Sequence, residues 1–464
     1  MQVDTVDLRV LNAIVVTPHR TIHGGVAVDD GIIVSVGSDS SLPDAERTID
    51  AKKNFLIPGF VDPHVHLGRR DKGYPEQLKI DFTTETRGAI HGGVTCLLNF
   101  VEQEDHYVPD LEFYRSIGEE NSFIDFGYHM VISHGHHIDE VEDLIDAGVT
   151  SFKMFFNKYK YSDIDIEPCE ADRVFTVLEK IADEPNTVAM FHAENAEMSL
   201  VHENNVRESG RHDLKSWNEA SPPIAEEMQI EQIGMLTEQT GASSYVVHIS
   251  PAEGVDAVKR YQDRGITLAG ETLVAFLTHT YNEDLGVWGK ISPPIRGERS
   301  RKRLWEGLRT GVIDHVGTDH VATSKELVEM GQGQHGDHMW DSPPGIQPGI
   351  EYFLPMMMSE GYNKNRISIE RMVEVCSTNN AKRFGLYPQK GTISEGSDAD
   401  LVIVDPDKQT VIDDDFFHTR EPRWSSVHGR EVTGLPTHTI VGGELAVEDG
   451  ELLVEPGSGE FIER

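Results

Sequence analysis

Eight short apolar runs, each followed by a longer segment of helical character, recur between residues 55 and 319 of this 464-residue chain. They are Phe55–His66, Thr95–Phe100, Phe126–Ile132, Ser151–Phe156, Thr187–His192, Ser244–His248, Ile266–Gly270 and His315–Asp319. Such alternation implies parallel βα units, because a parallel strand pair needs a long crossover connection. Eight units in about 330 residues fit an α/β fold, a (β/α)8 barrel of TIM type with long loops. The flanks differ. Leu8–Asn12, Ala13–Val16, Val26–Val28 and Ile32–Val36 read as short strands, and residues 400–404 and 438–447 share that character. The two ends of the chain are thus expected to build one small β-sandwich. The expected division is 1–55 and 386–464 for the sandwich and 56–385 for the barrel. No repeat or low-complexity tract interrupts the pattern.

Charge narrows the functional class. Lys+Arg 41 against Asp+Glu 79 gives a net charge of −38. A surface of that sign repels nucleic-acid phosphates and anionic membranes. Regular strand and helix patterning argues against disorder, so an acidic surface adapted to high salt accounts for the charge. Cys96, Cys169 and Cys376 form no Cys-x-x-Cys pattern, which points to a reducing interior. Residues 1–10 lack the apolar core of a signal peptide, and no apolar run reaches a membrane-spanning length of about 18 residues. A cytoplasmic protein is expected.

The chemistry gathers where the strands end, which in such barrels is where active sites sit. The first strand closes on His64-Val65-His66, and side chains two apart on a strand share a face, as two metal-binding imidazoles would. A lone His-x-His pair is weak evidence, since most are ordinary surface or core histidines. Here Lys153 follows in the fourth strand, His192 ends the fifth, His248 the sixth and Asp319 the eighth. Six potential metal-site residues at the catalytic ends of five strands would have to be six independent satisfied core groups on the bland reading. Lys153 lies in the apolar run "SFKMFF", where a bare ammonium is costly. A neutral lysine, a lysine reaching the rim, or a lysine carboxylated by CO₂ would each relieve that cost. The last could bridge two metals about 3.5–4 Å apart.

The runs "PGFVDPHVHL", "SFKMFF", "FHAEN", "VVHIS", "SPPIR", "GTDH" and "NNAKRFGLYPQKGTISEGSDADLVIVDP" resemble, in order and spacing, the cyclic-amidase branch of the amidohydrolase superfamily: dihydropyrimidinases, hydantoinases and, further off, allantoinases and dihydroorotases. The resemblance covers essentially the whole chain. It implies two divalent ions, usually zinc, one held by His64, His66 and Asp319, the other by His192 and His248, with carboxylated Lys153 between them. A hydroxide shared by the ions would attack the ring carbonyl, and Asp319 would carry its proton to the leaving nitrogen. Tyr159, with Tyr161 in reserve, would stabilise the oxyanion. Ser292 would bind the ring through its backbone, with Leu67 and Pro348 beside the substrate. Relatives form dimers or tetramers, so a homo-oligomer is implied.

Substrate choice is less constrained. "GIQPGIE" places Pro348 where the family often has asparagine, and "GETLVAFL" lacks a familiar Cys-Pro. Dihydroorotases carry arginine two residues after the second histidine to hold a carboxylate; here that position is Gly68, with Arg69 and Arg70 nearby. Phe155 and Phe156 suggest partly apolar surroundings. A dihydropyrimidine or 5-substituted hydantoin, opened to an N-carbamoyl amino acid, is therefore expected, with dihydroorotase or allantoinase chemistry as the alternative. A deaminase on the same barrel fits worse, because those relatives typically use one metal and no carbamate. A non-catalytic assembly relative fits worse still, because all six ligand positions are filled. His134, His136 and His137 read as an exposed loop, His335 and His338 as part of a mobile flap, and Met356–Met358 as core.

Overall fold

The computed structural model describes residues 5–68, 75–156, 166–322, 339–340, 342, 345, 349–420 and 424–464. Two sheets organise them. The first uses both ends of the chain: β1 (Thr5–Val16), β2 (Thr21–Asp29), β3 (Ile32–Gly37), β4 (Asp44–Asp50) and β5 (Phe55–Pro58) join β15 (Leu401–Val411), β16 (Glu431–Val441), β17 (Glu444–Glu448) and β18 (Glu451–Leu452). β1 pairs antiparallel with β2 along its length, and in parallel with β4 by its first half and β5 by its second. The sheet therefore folds over its own apolar face, where Val10, Val15, Val26, Leu56, Leu401 and Ile403 are buried together. This is the small β-sandwich expected from the two termini.

The second sheet is the barrel: β6 (Phe60–His66), β7 (Val94–Val101), β8 (Asp125–Val131), β9 (Ser151–Phe155), β10 (Val188–His192), β11 (Ser244–Val246), β12 (Leu268–Leu273), β13 (His315–Gly317) and β14 (His320–Val321). Every pairing is parallel. β13 and β14 are one eighth strand broken at Thr318–Asp319; the first piece pairs with β12 and the second with β6, which closes the ring.

Three expectations need correction. The run Phe55–His66 is two strands in two sheets. Its first part, β5, pairs with β15, and the chain changes sheet at Gly59. A Cβ there would stand 2.1 Å from Thr95 Oγ1, so only glycine passes. The strand β4 was not expected, because "DAERTID" is mostly exposed and carries no alternating apolar pattern. Finally, the extreme C-terminus leaves the sandwich and returns to the barrel, where Phe126 N–H bonds Glu460 O and Ile462 N–H bonds Phe126 O. The three cysteines are free and buried, and Met356–Met358 are core as expected. No described helix is long and apolar enough to cross a membrane.

Candidate metal centre and active site

The catalytic ends of the strands meet in one pocket lined by His64, His66, Lys153, His192, His248 and Asp319, with Phe155, Ile291, Ser292, Val321 and Gly345 around them. All six expected metal-site residues are therefore brought together, although the first and last are 255 positions apart in sequence (319 − 64). His64 Nε2 and His66 Nε2 each lie 3.2 Å from Asp319 Oδ1. Across the pocket His192 Nδ1 lies 3.0 Å from His248 Nε2. Ligand atoms about 2.0–2.2 Å from a common tetrahedral ion stand roughly 3.3–3.5 Å apart. Both groups come within a few tenths of an ångström of that spacing, and four imidazoles with one carboxylate are the donors zinc prefers. The residues fit the two-ion centre that the sequence implies.

Backbone strain aims two of these groups. His248 has φ 42° and Asp319 φ 52°, left-handed values that non-glycine residues seldom adopt. Both occur just where a strand stops. At the eighth strand the break is held by Asp62, which accepts from Thr318 N–H at 3.1 Å and Thr318 Oγ at 2.5 Å.

Two buried carboxylates behind the histidines were not assigned roles from sequence. Glu271 on β12 accepts from His64 Nδ1 at 2.8 Å, Tyr245 Oη at 2.9 Å and His248 N–H at 3.2 Å. Glu194, just beyond β10, accepts from His192 Nε2 at 2.7 Å. Each fixes the tautomer of its histidine and leaves the other ring nitrogen to face the pocket. The signal was present: an acid inside "GETL" and another inside "FHAEN" sit in strongly apolar surroundings, where a carboxylate needs a partner.

The electrostatics follow. Burial works against a charged His64, yet Glu271 and Asp319 hold its pKa up at about 9. Burial also works against ionised Asp319, but His64 and His66 bring its carboxyl well below the usual range. His248 is pushed well below an ordinary histidine by burial, with His192 and Lys153 adding to it. Lys153 is 1 % exposed, its Nζ 4.8 Å from the Phe100 ring centre and 5.1 Å from that of Phe155.

Other expected residues distribute differently. Ser292 lines the pocket and donates its hydroxyl to Glu194 Oε2 at 3.1 Å. Leu67 does not line it: its side chain is buried in the main barrel core, with its N–H held by Asn99 at 2.7 Å. The apolar wall comes instead from Phe155, Ile291 and Val321. Tyr159, Tyr161, Pro348, Arg69, Arg70, His335 and His338 lie outside the described residues. The histidine-rich loop is not simply exposed. His137 is fully buried, bonded to Asp105 O at 2.9 Å and to Ser133 Oγ at 3.2 Å.

Comparison with known proteins agrees with this geometry. The family model described as "Amidohydrolase family" matches residues 55–446. An L-hydantoinase of Paenarthrobacter aurescens is 32% identical over 99% of this chain and 98% of its own length. A D-hydantoinase of Ralstonia pickettii is 31% identical over 99% of both. Among solved structures, the L-hydantoinase (dihydropyrimidinase) from Arthrobacter aurescens superimposes with TM-score 0.91 at 31% identity, covering 99% of this chain and all of its own. The dihydropyrimidinase from Brevibacillus agri NCHU1002 gives 0.89 at 29% identity, with 98% of each chain covered. A closed eight-stranded barrel, a sandwich built from both termini and a histidine–aspartate pocket at the strand ends together say that this chain belongs to the amidohydrolase family.

Proposed function

We propose that this protein is a cyclic amidohydrolase that opens a dihydropyrimidine or 5-substituted hydantoin ring to an N-carbamoyl amino acid. The observation that carries the reading is the pocket itself: two imidazole–ligand groups with 3.0–3.2 Å edges, and a buried lysine lining the same space. His64, His66 and Asp319 would hold one divalent ion and His192 and His248 the other, with Lys153 shared between them as a carbamate. When bound, such ions supply a water acidic enough to ionise near neutral pH and a Lewis acid for the ring carbonyl.

The chain's own residues do the rest. Glu271 and Glu194 hold the His64 and His192 rings in orientation. Asp319 is kept ionised by His64 and His66, and in this reading its carboxylate takes the proton of the attacking water and passes it to the ring nitrogen that leaves. The balance is that of hydrolysis: the carbonyl carbon gains OH, the C–N bond breaks, and the nitrogen gains H. Ser292 presents its backbone to the ring, and Phe155 and Ile291 give its substituent an apolar wall. Tyr159 remains the choice for the oxyanion donor. The barrel, expected at residues 56–385 and entered at Gly59 in the fold, carries this chemistry, and the sandwich built from both ends of the chain supports it. A cytoplasmic, salt-adapted protein completes the reading, supported by the free cysteines and the −38 charge, and the homo-oligomer rests on the family resemblance alone.

A substrate panel in molar KCl tests it. Dihydrouracil and 5-substituted hydantoins should be opened with higher kcat/KM than dihydroorotate or allantoin. A preference for dihydroorotate of more than about tenfold, some 1.4 kcal/mol of transition-state binding, would overturn the choice. It would assign Arg69 or Arg70 to the substrate carboxylate.

A further inference from the structure

One buried carboxylate serves both sides of the pocket. Glu194 is 2 % exposed. Its Oε2 accepts from His192 Nε2 at 2.7 Å and from Ser292 Oγ at 3.1 Å, while Oε1 accepts from Ser221 Oγ. The loop that starts at Ser292 is fastened again at Arg296, whose guanidinium donates to Ser221 O and, at 2.5 Å, to Glu226 Oε1. Arg296 and Glu226 are themselves buried. A carboxylate only accepts, so one imidazole N–H and two hydroxyls converge on it, and its charge strengthens all three bonds. In so dry a network, moving one oxygen disturbs every donor attached to it.

We infer that Glu194 is a positioning residue that couples the metal side of the site to its substrate side. Through Oε2 it sets the His192 ring with Nδ1 toward the pocket, and through the same atom it sets Ser292 against the substrate ring. The inference rests on the function proposed above. Its consequence is that metal retention and substrate affinity are not independent in this chain. A change at Glu194 alters both, whereas a change at Ser292 alters only the second.

The test uses the metal-loaded full chain as wild type, Glu194→Met, Ser292→Ala and the double variant. Two quantities are read: loss of metal to a chelator, and KM for whichever cyclic amide the wild type opens. Methionine keeps the length but removes the oxygen that His192 and Ser292 share. Glu194→Met should weaken metal retention about 10–100-fold and raise KM. Ser292→Ala should keep wild-type retention and raise KM about fivefold to tenfold, the size of one hydrogen bond. The double variant should show no higher KM than Glu194→Met, because the tether is already lost. Additive KM effects, wild-type retention in Glu194→Met, or an unchanged KM in Ser292→Ala would each overturn the coupling. Should Glu194→Met fail to fold, Glu194→Asp replaces it; retention and KM must again shift together, and a shift in one alone overturns the inference. A wild type that opens no cyclic amide refutes the functional reading. A wild type that opens one while the two KM effects add refutes only the coupling.

Discussion

Replacing Lys390 with methionine should destabilise the protein far more than any surface change. Lys390 is 2 % exposed at the side chain and meets Asp398 and Asp400 at 2.8 Å each, with Asp125 closer still. Asp125 opens barrel strand β8, and Asp398 and Asp400 precede sandwich strand β15, so one ammonium joins the two sheets. Methionine conserves the volume but leaves three carboxylates facing one another. Removing one member of a buried pair costs about 3–5 kcal/mol, and the repulsion among the remaining acids adds to this. Burial, against the pull of Lys390, holds the Asp125 carboxyl up at about 6. A carboxyl raised in the folded state takes up a proton on folding between its unfolded pKa, near 3.8, and about 6. Its contribution to stability is therefore lost as pH rises through 6. The deficit of Lys390→Met should accordingly be largest at pH 7–8 and shrink toward pH 5. The assay is the chemical-unfolding midpoint across that range, with Arg47→Ala as control. Arg47 pairs with Glu448 at 3.1 Å, but both are about half exposed, and such a pair is worth less than about 1 kcal/mol. A Lys390→Met deficit no larger than that of the control, or one that grows as pH falls, would refute this reasoning.

Three further outcomes are expected. Lys153→Ala should lose the shared ligand and at least about 100-fold in kcat, since Lewis-acid stabilisation is worth several kcal/mol, with partial recovery on adding a short carboxylic acid; full activity without the acid would contradict the bridging role. Glu271→Gln should lower metal affinity about 10–100-fold while leaving the barrel folded, read by chelator competition and circular dichroism. Stability should rise from dilute buffer to molar KCl, because a charge of −38 repels itself until the Debye length falls from about 10 Å to about 3 Å; a melting temperature that is flat or falls with KCl would count against the halophilic reading.

The barrel was legible because each apolar run is long enough to be a buried strand and because polar residues stand at the same end of five of them. The same rule misled at Phe55–His66, where continuous apolarity hides a change of sheet that only Gly59 marks. β4 was invisible since its burial is confined to few side chains, and its place is set by parallel pairing with β1 rather than by its own pattern. The residues that meet in the pocket were readable one by one, but their geometry was not. The left-handed turns at His248 and Asp319 depend on contacts such as Asp62 with Thr318, which lie far apart in the chain. The burial of Leu67 in the core was hidden for a related reason. Adjacency to His66 says nothing about direction, and alternation along the strand sends neighbouring side chains to opposite faces. His137 is buried by a hydrogen bond to Asp105 O from a separate loop, which no local pattern encodes.

The most direct measurement of the central claim is a metal titration of the stripped full-length protein in molar KCl, following ring opening of dihydrouracil or a 5-substituted hydantoin as zinc is returned. The account predicts no ring opening without metal and activity that grows to a plateau at about two ions per chain, as a two-ion centre built on His64, His66, Lys153, His192, His248 and Asp319 requires. Undiminished activity in the stripped protein, or a plateau at one ion, would contradict it.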